Sequence, residues 1–175
     1  MMKLRKMVVM GIVSVLAVSA SSISAFAKKE INLENGIKII MYEDGDVIPA
    51  LPQSRAVIPP FSFNGTFPRY SSYRFLTDTV TGSDEIMLRP LHDSIRIEFD
   101  SVPDSFYINI YNHYYDRFDT SGTNGLMFLQ NPTTVFDIEG IQNGGNYRVG
   151  FAGTSSSINL SGSIQTYDWY PNLGW

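Results

Sequence analysis

The residues richest in chemistry lie in one stretch, Phe106-Tyr107-Ile108-Asn109-Ile110-Tyr111-Asn112-His113-Tyr114-Tyr115-Asp116. Read as a single β-strand, alternate side chains share a face, so Tyr107, Asn109, Tyr111, His113 and Tyr115 line up together. A tyrosine ring offers a flat apolar surface with a polar tip. Interleaved with an amide and an imidazole, such rings can stack on a sugar while the polar groups bond its hydroxyls. The preferred expectation is a carbohydrate-binding sheet face. The same residues also make an ordinary strand, because tyrosine pairs well across strands.

Two carboxylate pairs supply the alternative. Glu98 with Asp100, and Asp137 with Glu139, are spaced i, i+2, which on a strand puts both members on one face about 7 Å apart. That separation falls between those of retaining and inverting glycosidases, so a carboxylate-dependent hydrolase stands as the second reading. Strand-surface acids at this spacing are commonly solvated charges, and that is the expectation for both pairs. His92 and His113 are the only histidines and there is no cysteine. Zinc takes three or four His, Cys or carboxylate ligands, so no metal and no cofactor is expected. Glu43-Asp44-Gly45-Asp46 lacks the alternating oxygen ligands of a calcium loop, and Asp116, Asp119 and Thr120 read equally as a turn. No G-x-S-x-G elbow occurs, and Gly153–Ser157 reads as a hairpin loop. Asn143-Gly144-Gly145-Asn146 opens a strand, whereas phosphate loops open a helix. No catalytic residue is nominated.

Period-2 alternation sets the elements that must carry these groups. Ile95, Ile97 and Phe99 oppose Arg96 and Glu98; Phe106, Ile108 and Ile110 oppose Tyr107, Asn109 and Tyr111. Tyr147, Val149 and Phe151 oppose Arg148 and Gly150; Ile158, Leu160 and Ile164 oppose Asn159, Ser161, Ser163 and Gln165. Less regular strands are expected at 73–76, 85–89, 125–129 and 134–138. Turn chemistry separates them at Thr81-Gly82-Ser83, Val102-Pro103-Asp104 and Ser121-Gly122-Thr123-Asn124-Gly125. Short strands at this spacing predict an all-β, antiparallel two-sheet β-sandwich, with a jelly-roll as the candidate winding. Each strand is expected to bury one face and solvate the other. Residues 72–175 form the body, ending in an aromatic tail that holds Trp169 and Trp175. Residues 28–71 read as an N-terminal strand, Ile37–Tyr42, followed by an irregular arm broken by Pro49, Pro52, Pro59, Pro60 and Pro68.

The first 27 residues give the address. Lys3, Arg5 and Lys6 precede an apolar run from Met7 to Val18 and a stretch ending Ala25-Phe26-Ala27. That order is a secretory signal peptide, cleaved after Ala27. The run is shorter than the ~20 apolar residues of a spanning helix, and no later segment approaches that length, so no transmembrane anchor is expected. A β-barrel of the outer membrane needs repeated alternating segments of about 10 residues, and only Ser157–Tyr167 comes near. Cleavage removes three basic residues and no acidic ones, moving the formal charge from −4 to −7. An acidic chain argues against nucleic acid as a partner. An exported chain without disulfides suits a bacterial product better than an animal extracellular module.

The stretch Phe136-Asp137-Ile138-Glu139-Gly140-Ile141-Gln142-Asn143-Gly144-Gly145-Asn146-Tyr147-Arg148-Val149-Gly150-Phe151, with Phe106–Tyr111 and Leu160-Ser161-Gly162-Ser163-Ile164, has a strand–turn–strand cadence. Over residues 73–167 it resembles secreted bacterial β-sandwich modules of the pre-peptidase C-terminal type. That resemblance implies an accessory role beside secreted hydrolases, in adhesion or substrate binding, and assigns no residue a role. The expectation is a secreted, non-catalytic binding module for an extracellular or cell-wall glycan, with a surface protein as the other candidate partner.

Overall fold

The computed structural model describes residues 29–42, 45–51, 61–87, 93–101, 104–130, 133–141 and 145–167. The expected signal peptide, the arm residues 52–60, Glu43-Asp44, His92, Asn143-Gly144 and the tail from Asp168 with both tryptophans lie outside the described residues.

Twelve strands follow in chain order: β1 (Lys29–Asn32), β2 (Lys38–Tyr42), β3 (Phe61–Phe67), β4 (Arg74–Phe75), β5 (Ile86–Met87), β6 (Ser94–Phe99), β7 (Ser105–Asn112), β8 (Arg117–Phe118), β9 (Met127–Gln130), β10 (Val135–Glu139), β11 (Asn146–Gly153) and β12 (Ile158–Tyr167). The described residues include one 3-10 turn, Thr123–Gly125, and no helix long and apolar enough to cross a membrane. Sheet A is six-stranded, ordered β1-β2-β10-β6-β12-β3; sheet B runs β4-β11-β7-β8, with β5 also on β11 and β9 also on β7. All these pairings are antiparallel.

Leaving aside the β1–β2 hairpin, the chain alternates between sheets as a jelly roll does. One sheet reads β3-β12-β6-β10 and the other (β4, β5)-β11-β7-(β9, β8), the eight-strand double Greek key with its two short edge strands each split in two. The expected all-β sandwich is therefore the fold, and its two sheets do not close into a barrel. The segment 28–71, expected as one strand and an irregular arm, instead supplies three strands of sheet A. The prolines around Phe61-Ser62-Phe63-Asn64-Gly65-Thr66-Phe67 mask β3 in the sequence, yet its same-parity Phe63 and Phe67 are buried.

The alternating apolar residues meet between the sheets as expected. Phe99 of β6 sits at the centre, with ring centroids 5.4–6.0 Å from Phe63, Phe106, Phe136 and Phe151, three of the four edge-to-face. Edge-to-face contact places the positive ring rim on the negative ring face, so five rings from both sheets fix their spacing. Gly162 of β12 lies opposite Phe99, and a Cβ there would overlap the Glu98 carbonyl.

β3 is one of the two edge strands of sheet A and is blunted by a turn rather than left open. Asp78 is buried and bridges to Phe63. Its carboxylate accepts the Ser62, Val80 and Thr81 amides and the Thr81 hydroxyl at 2.6–3.3 Å. Burial works to raise the Asp78 pKa, but these hydrogen bonds outweigh it and hold the carboxyl below its ordinary range. A depressed folded pKa means stabilisation that is complete above the unfolded value, about 3.9, and lost as pH falls through the folded value. Asp78→Asn is expected to flatten the acid side of a stability-against-pH profile measured by urea unfolding from pH 2 to 7. An unchanged acid limb would mean that Asp78 does not anchor this edge.

Candidate functional site

The outer faces of the two sheets differ in what they show to solvent. On sheet A, strand parity puts Tyr42 of β2, Asp137 and Glu139 of β10, Arg96 of β6 and Tyr167 of β12 outward. These residues are nonetheless buried: Asp137 is 0 % exposed, Tyr167 2 %, and Arg96, Glu139 and Tyr42 4 % each. Arg96 meets Asp137 as a fork, Nε to Oδ1 and Nη2 to Oδ2, both at 2.7 Å. The Tyr42 hydroxyl donates to Asp137 Oδ2 at 2.6 Å. Arg96 Nη1 donates to the Pro49 carbonyl at 2.7 Å, so the chain at Pro49 lies over this face. The guanidinium lies 5.7 Å from the Tyr42 ring centre and 5.8 Å from that of Tyr167.

The electrostatics follow from this enclosure. Burial, with the Asp137 carboxylate next to it, raises the Tyr42 hydroxyl pKa, and burial raises that of Tyr167. Burial works to lower the Arg96 pKa, and Asp137 more than reverses it. The expectation that Asp137 and Glu139 are solvated strand-surface acids is overturned: Asp137 is 0 % and Glu139 4 % exposed, and Asp137 is enclosed by Arg96 and Tyr42. Both Asp137 oxygens are taken by Arg96 and Tyr42, which is the arrangement of a structural ion pair. Glu98 is exposed, and exposed Asp100 accepts the Ser161 hydroxyl at 2.5 Å, as expected of solvated charges.

Sheet B carries the predicted sugar-binding residues, and the structure divides them. Tyr107, Asn109 and Tyr111 do share the outer face, opposite Ala152, Gly150 and Arg148 of β11. β7 ends at Asn112, however, whose Oδ1 accepts the Tyr114 and Tyr115 amides at 3.0 and 3.3 Å. That side-chain turn breaks the expected row. His113 stays 5.9 Å from Tyr111, ring to ring, with Nδ1 3.6 Å from Glu85. Tyr115 leaves the face for a groove at the end of the sandwich.

Asn109 is 0 % exposed and so unavailable to a ligand on the surface. Its Nδ2 donates to the Asn124 carbonyl at 3.1 Å, and its Oδ1 occupies the space a Cβ at Gly150 would need. Tyr111 is half-buried among Phe75, Phe118 and His113. Its hydroxyl donates to Asp116, which raises its pKa. Tyr111 is thus mostly a packing residue.

Tyr107 keeps a more open setting, with two partners that sequence reasoning missed. Tyr70 stacks on it at 4.3 Å and 29°, and Phe128 of β9 tilts against it at 5.2 Å. Tyr107 is half-buried, whereas Tyr70 is 42 % and Phe128 46 % exposed. The three rings form a ledge in which Tyr107 is the support and Tyr70 and Phe128 present the free surface. Phe128 was within reach of the sequence: Leu129 points inward, so parity sends Phe128 out. Tyr70 was not, because it follows Pro68 and joins the ledge through a tertiary contact.

Removing one partner of a buried ion pair strands the other, at a cost of about 3–5 kcal/mol. Arg96→Met is therefore expected to lower Tm by roughly 6–20 °C, with Arg96→Met/Asp137→Leu recovering part of the loss. A Tm change under about 2 °C for the single variant would contradict the enclosed geometry. No protein-family model matches the chain, and comparison with curated proteins and with solved structures gives no match.

Proposed function

We propose that the protein is an exported, non-catalytic binding module that holds an extracellular glycan on the Tyr70–Tyr107–Phe128 ledge. The observation that carries this reading is the pair of exposed rings, Tyr70 from a turn and Phe128 from β9, braced by Tyr107 of β7. Sugar-ring C–H bonds carry partial positive charge and lie well against the negative face of an aromatic ring. Phe128 and Tyr107 are held by β9 and β7, and Tyr70 is held by stacking on Tyr107, so less ordering is needed when a ligand arrives, which preserves affinity. Three of the residues first nominated take other parts: Tyr107 supports the ledge, while Asn109 and Tyr111 pack beneath and beside it.

Several features support the same direction. The leader-like first 27 residues and the likeness to secreted accessory modules favour a task outside the cell. The occupied oxygens of Asp137 disfavour a hydrolase built on that carboxylate. The ledge lies on sheet B, away from the Arg96–Asp137 pair on sheet A, so its surface can vary without disturbing that ion pair.

The test is sedimentation of the purified protein with insoluble peptidoglycan, chitin and cellulose. Tyr70→Ala/Phe128→Ala is expected to weaken partition to the bound polymer about fivefold or more, taking about 0.5–1.5 kcal/mol for each ring contact. Both rings are surface residues, so Tm should hold within a few degrees. Undiminished partition of the folded double variant would remove the ledge as the site.

A further inference from the structure

At one end of the sandwich lies a polar groove with a different set of residues from the ledge. The β1–β2 turn contributes Asn35, β7 ends in it with Asn112, and Tyr115, Arg117 and Asp119 follow from the β7–β8 turn onward. The groove encloses about 440 Å³ and adjoins a second of about 570 Å³ that shares Asn35, Arg117 and Asp119. Cavities of roughly 300–1,000 Å³ accept small organic ligands, so there is room for one or two sugar units.

The hydrogen-bonding groups of the groove are only partly spent. The Asp119 side chain, 3 % exposed, accepts Asn112 Nδ2 at 3.1 Å and Arg117 Nε at 3.4 Å. Asn35 Nδ2 takes the Asp119 backbone carbonyl at 3.1 Å. A carboxylate offers about four acceptor sites, so about two remain. Among the described residues Arg117 hydrogen-bonds only through Nε, and its terminal nitrogens keep their donors. The guanidinium rests 4.9 Å over the Tyr115 ring centre, which holds the fork beside the carboxylate. Tyr115 itself is 51 % exposed at the rim.

An acceptor and a fixed donor side by side match two neighbouring hydroxyls: one donates to Asp119 and the other accepts from Arg117. The exposed Tyr115 ring covers an adjoining C–H surface. An anion fits less well, because Asp116, Asp119 and Glu34 lie around Arg117 in the chain and in the paired grooves. A metal ion fits less well, because Arg117 already neutralises the carboxylate, and no metal-holding group of His or acids occurs among the described residues.

We propose that this groove is a second saccharide subsite, taking a neutral vicinal diol from a chain end of one or two sugar units through Asp119, Arg117 and Tyr115. It rests on the glycan reading of the ledge and extends it: the ledge takes the flank of a polymer and the groove takes a terminus. Arg117 is more than half exposed, so Arg117→Met should fold. Tyr115→Ala removes the ring alone.

The experiment is an amide NMR titration of the purified protein with N-acetylglucosamine, N,N′-diacetylchitobiose, glucose and cellobiose. At least one probe should shift Asn35, Asn112 and Tyr115. That probe should bind at least tenfold more weakly to Arg117→Met and to Tyr115→Ala, and unchanged to Tyr70→Ala/Phe128→Ala. Silence of the groove amides toward all four sugars, or unchanged binding by folded Arg117→Met, overturns the subsite. Polymer sedimentation of the same variants separates the two sites. Loss with the ledge variant beside a silent groove sinks only the subsite. A responsive groove beside an indifferent ledge supports the subsite and sinks only the ledge.

Discussion

The Arg96–Asp137 pair decides which surfaces this protein can use. Two opposite charges on the outer side of a β-sheet would ordinarily meet water, and withdrawing them costs several kcal/mol per ion. Here the forked geometry, the Tyr42 hydroxyl, two flanking rings and the Pro49 carbonyl replace that water. The arrangement works only if the segment carrying Pro49 stays over the sheet. The chain leaves β2 beside β10 and returns as β3 beyond β12, so the connection between them has three strands to pass. Arg96, on the middle one, is where the described part of that connection is fastened.

Tyr42, Arg96, Asp137, Glu139 and Tyr167 close part of the outer face of sheet A, while Glu98 and Gln165 on the same face stay exposed; among the described residues, the exposed rings Tyr70 and Phe128 lie on the side of sheet B. Its edge strands are short and split, β4 with β5 on one side and β9 with β8 on the other, which lets loops fold over the face at one point and leave it bare at another. The Thr123–Gly125 turn covers Asn109, helped by a left-handed Gly125 whose Cβ would collide with Phe118. At the Tyr107 end the covering stops, and Tyr70 and Phe128 remain half in solvent. Position along a single strand therefore separates packing aromatics from presenting ones.

The sandwich was legible because period-2 alternation is a local property. Ile95, Ile97 and Phe99, or Tyr147, Val149 and Phe151, declare an inward face without reference to any neighbour. Parity says which side a residue faces but not what lies on that side. Asp137 and Arg96 face outward as parity requires, yet they are buried, because what lies over them comes from elsewhere in the chain. The strand through Tyr107 was read past its end because Asn112 looks like another polar strand residue, while its side chain caps the turn that diverts Tyr115. Tyr70 lies 37 positions before Tyr107 and reaches it only through the fold, which no local pattern encodes.

Hydroxyl-radical footprinting of the purified protein, alone and bound to an insoluble glycan that retains it, probes both faces in one measurement. The two-faced arrangement predicts strong labelling of Tyr70 and Phe128 in the free protein, lost on binding, with Tyr42 and Tyr167 unlabelled throughout. Free labelling of Tyr42 and Tyr167, or glycan binding that leaves Tyr70 and Phe128 as reactive as before, would contradict it.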